Sequence, residues 1–296
     1  MKKHLKYTVL AISAIMLSGC MNLKTLNSYS EASQTALKKY DEIGFSFKKV
    51  CEKNCEFRTN SDEKAIAKRF SDNYQPIKIE SECECESYLK ADTAFNKMYF
   101  ATLQYLEGLN KLSNDEVLTF KYDTLANALK ETEILDVKGE EIDAFNKLVN
   151  ITTKFIVDIK RRKDLQEIIE FANPSFQVLI EKLQFAVNGP LKLALETEID
   201  LEYNYYKAIV RNQDELSLKD KIELENEFVD SRDEVLEKID LLNEYSRALD
   251  EIKKGHQSIY DNRDIIHKKE LAGLVAGYIT EIKEIKTSFD NIKTEE

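Results

Sequence analysis

The sequence lacks tryptophan and contains few residues that interrupt helices. Its 296 residues include only 3 prolines and 8 glycines, whereas charged residues make up 33% of the chain. This composition excludes the collagen-like, low-complexity and disulfide-knot classes of protein. Only one long apolar run exists, near the N-terminus, which excludes a membrane protein with several spans. We therefore predict an all-α protein that is built from long helices.

The chain also lacks the residue patterns that are typical of common enzymes. It contains no glycine-rich phosphate loop, no dinucleotide-binding fingerprint and no zinc-protease motif. Only His256 and His267 lie outside the N-terminal segment, and the two Glu-x-x-His motifs of a di-iron bundle are absent. The sequence therefore predicts no enzyme activity and no cofactor. The net charge of -11 disfavours nucleic acid as a partner.

The first 19 residues have the features of a secretory signal peptide. Three lysines form a basic start, and a mostly apolar stretch from Tyr7 to Leu17 follows them. This stretch is shorter than the ~20 residues that a membrane-spanning helix needs. We therefore assign residues 1–19 to a signal peptide and exclude them from the predicted fold.

The residues Leu17-Ser18-Gly19-Cys20 resemble the lipobox of bacterial lipoproteins. The resemblance covers the signal segment alone. It implies that Cys20 is lipidated and becomes the first residue of the mature chain, with more than one acyl chain for stable anchoring. Met21 follows the cysteine, and the sorting rule of that family then implies the outer membrane if the cell is Gram-negative. We expect residues 20–28 to form a tether that holds the folded body close to the membrane.

Four further cysteines, Cys51, Cys55, Cys83 and Cys85, lie beyond the lipobox. An even number of cysteines in an exported chain predicts disulfide bonds. The first two share one face of a helix, and the last two share one face of an extended segment. Two cross-bridges are the simplest arrangement, and both cross-pairings remain open. A four-thiolate zinc site is the alternative, but Cys83 and Cys85 are too close together for the usual zinc motif.

The spacing of apolar residues predicts an elongated antiparallel bundle of six to eight long helices over residues 29–292. We expect one continuous bundle with two possible joints. The first joint is the segment 71–85, which contains Pro76 and is predicted to be a loop. The second is residues 189–190, where Gly189-Pro190 must kink or break a helix.

Shorter patterns predict where helices begin and end. Asn173-Pro174 resembles a helix start, with an N-cap and a proline at the first helical position. Gly44 is a weak point inside the first helix. Further helices are expected to begin near Ser217 and after Gly255-His256, and an irregular turn is expected at residues 261–264. The small residues Gly273 and Gly277 lie four positions apart, and we expect them to allow close helix packing.

Two groups of residues are candidates for an interaction surface. Arg161 and Arg162 belong to a basic cluster in an acidic protein, and this cluster could bind an anionic partner. Tyr203 and Tyr206 lie in an aromatic run that is too dense for every side chain to face one core. Tyrosine is also common at binding interfaces. For the tyrosines, however, core filling is the preferred interpretation and an exposed interface is the alternative. The arginines could instead form surface ion pairs.

These patterns together predict a membrane-anchored lipoprotein of the cell envelope. We expect it to act as a non-enzymatic helical scaffold or protein-interaction module, with another envelope protein as its partner. One alternative is a helical lipoprotein that binds a small molecule or a metal ion, which would need a cavity with convergent polar groups. Another alternative is an envelope hydrolase or a toxin-like factor.

Overall fold

The computed structural model describes residues 20–44, 46–60, 83–114, 129–130, 132–154, 161–212, 216–266 and 268–293. These parts of the chain are all-α and contain no β-strand, as the composition predicts. Their α-helices are α1 (Cys20–Leu37), α2 (Lys39–Ile43), α3 (Phe47–Asn60), α4 (Glu86–Ser113), α5 (Gly139–Lys154), α6 (Arg161–Ala186), α7 (Lys192–Asn212), α8 (Leu218–Asp261) and α9 (Lys269–Ile292).

Helix α1 packs against α4, α8 and α9 in the centre of the bundle. Gln34 donates a hydrogen bond to the carbonyl of Leu106 at 3.3 Å, and Asn110 donates one to the carbonyl of Asn27 at 3.3 Å. The residue numbers rise on one helix as they fall on the other, so α1 and α4 are antiparallel.

The stretch of chain formed by α1 and α2 also runs antiparallel to α8. The hydroxyl of Tyr29 donates to the carbonyl of Ile252 at 2.5 Å, and the rings of Tyr40 and Tyr245 lie 5.5 Å apart. The start of α1 at Cys20 therefore lies at the end of the bundle where α8 finishes. The beginning of α8 lies at the opposite end of the molecule.

The predicted tether at residues 20–28 differs from the structure, in which these residues form the first turns of α1. Leu26 and Tyr29 are fully buried. Their three-residue spacing continues the apolar face of the helix towards Cys20. Burial of a leucine side chain is worth about 1.5–3 kcal/mol, which favours helix over an extended tether.

The predicted weak point at Gly44 is confirmed, and it divides the expected first helix. Helix α2 ends at Gly44, whose φ of 78° is in the left-handed region that suits glycine. Helix α3 then begins at Phe47. The carboxylate of Asp92 accepts hydrogen bonds from the backbone N–H groups of Phe47 at 2.8 Å and Lys48 at 3.0 Å. A carboxylate on α4 therefore caps the N-terminus of α3.

The predicted helix start at Asn173-Pro174 is wrong, because α6 runs through both residues. The side chain of Asn173 does not cap a helix. It donates to Gln257 at 2.9 Å and lies 2.7 Å from a ring nitrogen of His256. The side-chain amide of Asn173, which the sequence pattern predicted to cap a helix, thus bonds to residues of α8.

Gly189-Pro190 does not end a helix either. Residues Val187–Leu191 form a π-helical turn, and the helical path continues from α6 into α7. A wider turn accommodates proline because it changes the hydrogen-bond register around the residue that lacks an N–H. The other predicted joint, 71–85, lies outside the described residues except for Cys83–Cys85.

The expected helix joint at Gly255-His256 is also wrong, since both residues lie within α8. Gly255 is instead the point of close helix approach: a Cβ there would lie 2.6 Å from Cε2 of Tyr29. The expected close packing at Gly273 and Gly277 is absent, because a Cβ at either position would meet nothing within 4 Å.

Two predicted helix boundaries are confirmed. Ser217 caps α8 in a capping box, in which its hydroxyl accepts from the backbone N–H of Asp220 at 3.2 Å. The predicted irregular turn corresponds to a short 3₁₀ segment at Arg263–Ile265, between α8 and α9.

Candidate interaction surface

The end of α7 and the beginning of α8 form a two-helix arm, defined here as residues 196–234. Leu195 is the last fully buried apolar residue of α7, and Val235 is the first one of α8. Between them, no apolar side chain in the described part of the arm is buried. At 1.5 Å per residue, the α8 portion extends about 25 Å beyond the core. The arm thus has an all-helical frame without an apolar core of its own.

Five aromatic rings meet on the arm, and we call them the aromatic cluster: Phe57, Tyr203, Tyr205, Tyr206 and Phe228. The ring of Phe228 on α8 lies 5.6 Å from Tyr203 and 6.0 Å from Tyr206 on α7. Tyr205 lies 5.3 Å from Tyr206 and 5.7 Å from Phe57 on α3. The structure therefore brings together the two tyrosines that the sequence singled out.

The aromatic cluster is accessible from outside the protein. Tyr203 is 48% exposed, and the other four rings are half-buried. Aromatic rings that form a protein's own core are usually covered much more completely, as Tyr99 and Tyr105 are in this bundle. The core-filling interpretation of Tyr203 is therefore wrong, and the exposed part of its ring is accessible to another molecule.

Helix α3 is joined to the base of the arm by polar contacts. The ammonium of Lys53 lies 2.6 Å from the carboxylate of Glu198, and Asn54 donates to the carbonyl of Ala194 at 3.0 Å. The Lys53 ammonium also lies 5.7 Å from the centre of the Phe57 ring. These contacts fix the position of Phe57 in the aromatic cluster.

Two disulfide bonds hold α3 in turn. Cys51 is bonded to Cys85 and Cys55 to Cys83, with Cα–Cα distances of 5.9 Å and 6.0 Å. The predicted cross-bridges are confirmed, and their pairing is now resolved. The four sulfurs are therefore not zinc ligands. Because the bridges tie α3 to the start of α4, they also restrain the position of the arm relative to the core.

Two carboxylates on α7, close to the aromatic cluster in sequence, are buried. Glu198 and Glu202 are each 2% exposed. Burial raises the pKa of Glu202, although Ser231 and the charge of Lys53 oppose the shift. The Oε2 atom of Glu202 has no hydrogen-bond partner among the described residues. A negative charge at Glu202 is therefore only partly compensated.

Negative charge also affects the tyrosines. The pKa of Tyr206 is raised to about 12, chiefly by burial and then by the nearby carboxylates of Glu227 and Glu202. Tyr206 consequently remains a neutral hydrogen-bond donor at physiological pH. The ammonium of Lys207 lies 5.0 Å from the centre of the Tyr203 ring, so this ring already accepts a cation on one face.

The arm carries most of the net charge of the protein. Residues 196–234 contain 13 acidic and 5 basic residues, a net charge of -8, whereas the whole chain carries -11. Several acidic side chains are exposed beside the aromatic cluster. Asp200 and Glu225 precede Tyr203 and Phe228 by three positions, which places each pair on one helix face. The surface therefore combines exposed rings with a strong negative field.

Three other predicted site residues, Cys20, Arg161 and Arg162, are described through their backbones alone. The backbone of Cys20 begins α1, and the backbones of Arg161 and Arg162 begin α6. The side chains of these three residues lie outside the described set. His267 likewise lies outside the described residues.

A buried polar network around His256 was missed by the sequence interpretation. The histidine is fully buried, with Tyr105 2.8 Å from Nε2 and Asn173 2.7 Å from Nδ1. The amide nitrogen of Asn173 donates to Gln257 at 2.9 Å, so its oxygen accepts from Nδ1 and the hydroxyl of Tyr105 donates to Nε2. Burial lowers the pKa of His256 to about 3, so the ring is neutral.

The network joins α4, α6 and α8 inside the bundle. Phe176 also stacks on the imidazole with 4.3 Å between ring centres. A fully buried, neutral histidine with both ring nitrogens satisfied is suited to holding helices in register. No signal in the sequence pairs His256 with residues that lie 151 and 83 positions away.

The described residues contain no group of three or more histidine, cysteine, aspartate or glutamate side chains arranged to hold a metal ion. None of the helices in the described ranges is long and apolar enough to cross a membrane.

No protein-family model, curated protein or solved structure matches this chain.

Proposed function

We propose that this protein is a lipoprotein of the cell envelope, anchored through Cys20, whose arm binds another envelope protein. The aromatic cluster is the observation that carries the proposal. It exposes tyrosine on a part of the molecule that contains no buried apolar side chain of its own in the described residues. Aromatic residues of this kind supply much of the binding energy at protein interfaces.

The position of the arm supports this function. Helix α8 spans 44 residues, and Cys20 lies near its C-terminal end because the stretch formed by α1 and α2 runs antiparallel to α8. Phe228 lies 33 residues before the end of α8, a distance of about 50 Å along the helix. An anchor at Cys20 would therefore place the aromatic cluster well away from the lipid surface, where a second protein can reach it.

The disulfide bonds also support a binding role. They restrain α3, which contributes Phe57 to the aromatic cluster. A restrained surface loses less conformational entropy when a partner binds, so more of the contact energy appears as affinity. The oxidised cysteines are in accord with an exported protein.

The anchor is tested by following processing in a bacterial host. Cells are labelled with an alkyne fatty acid, and wild-type protein is compared with a Cys20→Ala variant. We expect label and membrane association in the wild type, and neither in the variant. Globomycin should cause the diacylated precursor to accumulate. Normal appearance of mature protein in the presence of the drug would refute lipidation at Cys20.

The binding role is tested by photo-crosslinking in intact envelopes. A photoreactive amino acid replaces Tyr203 in one strain and Leu274 in another. The two side chains are almost equally exposed, at 48% and 47%, but Leu274 lies on α9 and outside the arm. We expect one envelope protein to be captured from position 203 and not from position 274. Equal capture from both positions, or capture from neither, would contradict the proposal.

A further inference from the structure

We propose that the arm binds a segment of its partner that is rich in arginine and lysine. This inference rests on the proposed binding function and adds the chemistry of the partner. Three features support it: the sign of the charge on the arm, the exposure of rings that bind cations, and a buried carboxylate that lacks a full set of partners.

The negative charge of the arm favours a partner segment of positive charge. Residues 196–234 hold a net charge of -8, and the other residues of the chain from Cys20 onward hold -6. Exposed carboxylates at Asp200 and Glu225 form no ion pair with any described residue. A basic segment would gain attractive interactions along the whole arm, whereas an acidic or neutral one would not. Such a field also accelerates association with an oppositely charged partner.

The aromatic cluster provides contacts that suit guanidinium groups in particular. Two of its rings already have a lysine ammonium within 6 Å, at Tyr203 and at Phe57. Arginine stacks on tyrosine while its N–H groups bond to neighbouring carboxylates. Tyr203 offers a half-exposed ring, and Asp200 lies one helical turn away on the same face. A ring next to a carboxylate is thus a suitable site for an arginine side chain.

Glu202 adds a third, independent feature. Its carboxylate is buried beside Tyr206, and its Oε2 atom has no partner among the described residues. A positive charge placed above the aromatic cluster would stabilise this carboxylate in its ionised form. Binding of a basic segment should therefore lower the pKa of Glu202 towards its ordinary value.

The test measures peptide binding to the full mature lipoprotein in neutral detergent micelles. The probe is a fluorescein-labelled peptide of alternating arginine and serine, and fluorescence anisotropy reports its affinity. Matched peptides carry citrulline or glutamate in place of arginine. We expect binding of the arginine peptide alone, weakened by added salt because screening acts within about 10 Å at 0.1 M. Binding of the citrulline peptide with equal affinity would overturn the proposal.

Two pairs of variants locate the site. Asp200→Lys with Glu225→Lys reverses two charges on the arm, and Glu270→Lys with Glu284→Lys makes the same net change on exposed positions of α9. We expect the first pair to weaken binding about tenfold or more, and the second to change it less than about threefold. Equal weakening by both pairs would mean that net charge alone attracts the peptide, which would refute an arm site.

A second comparison isolates the aromatic contribution. Tyr203→Ala should weaken binding about tenfold, whereas Phe100→Ala, at an exposed ring outside the arm, should leave it unchanged. Circular dichroism of each variant checks that it is folded. If position 203 captures an envelope protein by crosslinking but the arginine peptide does not bind, the basic partner is wrong and the binding function stands. If both experiments fail, both proposals are wrong.

Discussion

Substitution of Gly255 by alanine tests the packing of α1 against α8 directly. A Cβ at this position would lie 2.6 Å from Cε2 and 3.2 Å from Cδ2 of Tyr29, and 3.3 Å from Cβ of Tyr278. Carbon atoms pack best at about 3.5–4.0 Å, so something must move. Tyr29 cannot easily yield, because it is fully buried and its hydroxyl is bonded to the carbonyl of Ile252 at 2.5 Å.

The expected magnitude is a balance of two effects. Alanine is favoured over glycine in a helix by about 1 kcal/mol, which would stabilise the variant. Overpacking a filled core costs about 1–3 kcal/mol, and the rigid setting of Tyr29 favours the upper part of that range. We therefore expect Gly255→Ala to lower the free energy of unfolding by about 1–2 kcal/mol. The melting temperature should fall by several degrees.

The same substitution at Gly273 is the matched control. A Cβ there would meet nothing within 4 Å, so only the helix preference acts and we expect a gain of up to about 1 kcal/mol. Urea denaturation followed by circular dichroism measures both variants. In a Tyr29→Leu background, which lacks the clashing ring atom, Gly255→Ala should become less costly. If Gly255→Ala stabilises the protein as much as Gly273→Ala does, this account of helix packing is refuted.

Three further predictions concern titration and covalent restraint. The pKa of His256 is about 3 in the folded protein, against an ordinary value of 6.5. The stability that the neutral imidazole contributes is therefore complete above pH 6.5 and is lost as the pH falls towards 3. The free energy of unfolding should depend less steeply on pH in this interval for His256→Gln. The pKa of Glu202 is raised, so the ionised carboxylate destabilises the folded state at neutral pH. Glu202→Gln should therefore raise the urea concentration at the midpoint of unfolding. An unchanged or lower midpoint would contradict this. Replacing Cys55 and Cys83 by serine leaves the enclosing Cys51–Cys85 bridge in place and releases only the small ring between the two bridges, so it should cost about 2–3 kcal/mol in thermal or urea unfolding. No loss would mean that the bridge does not restrain the unfolded chain.

Local chemistry explains which parts of the fold could be predicted from the sequence. The scarcity of glycine and proline led to an all-α prediction, and the structure confirms it. Gly44 ends a helix through its left-handed φ, and Ser217 begins one through a capping box. Both effects involve only residues that are close in the sequence. The pairing pattern of the cysteines followed from helical and extended spacing, except for the choice between two cross-pairings.

Contacts between distant residues explain the errors. Asn173-Pro174 has the local pattern of a helix start, but hydrogen bonds to His256 and Gln257 on α8 favour a continuous helix. Gly255 resembled a helix end because glycine commonly follows the last residue of a helix. Its close neighbour Tyr29 lies more than 220 positions earlier in the chain, so no local pattern indicates their contact. The backbone of α8 is uninterrupted there because glycine leaves room for that ring.

The candidate surface was predicted only in part. Tyr203 and Tyr206 stood out because their run was too dense to face one core. Phe57 and Phe228 joined them only through the packing of α3 and α8 on α7, which no local pattern indicates. The roles of Cys20 and of the arginine cluster remain predictions.

The two disulfide bonds determine what happens to the chain if a protease cuts it. They connect α3 to the residues that immediately precede α4, so both bridges span the same stretch of sequence between positions 55 and 83. A protease that cut the chain anywhere in that stretch would leave the two fragments covalently joined. The cut molecule would keep its mass on a non-reducing gel and separate only after reduction. An N-terminal lipid would then still retain the C-terminal fragment, including the arm, at the membrane.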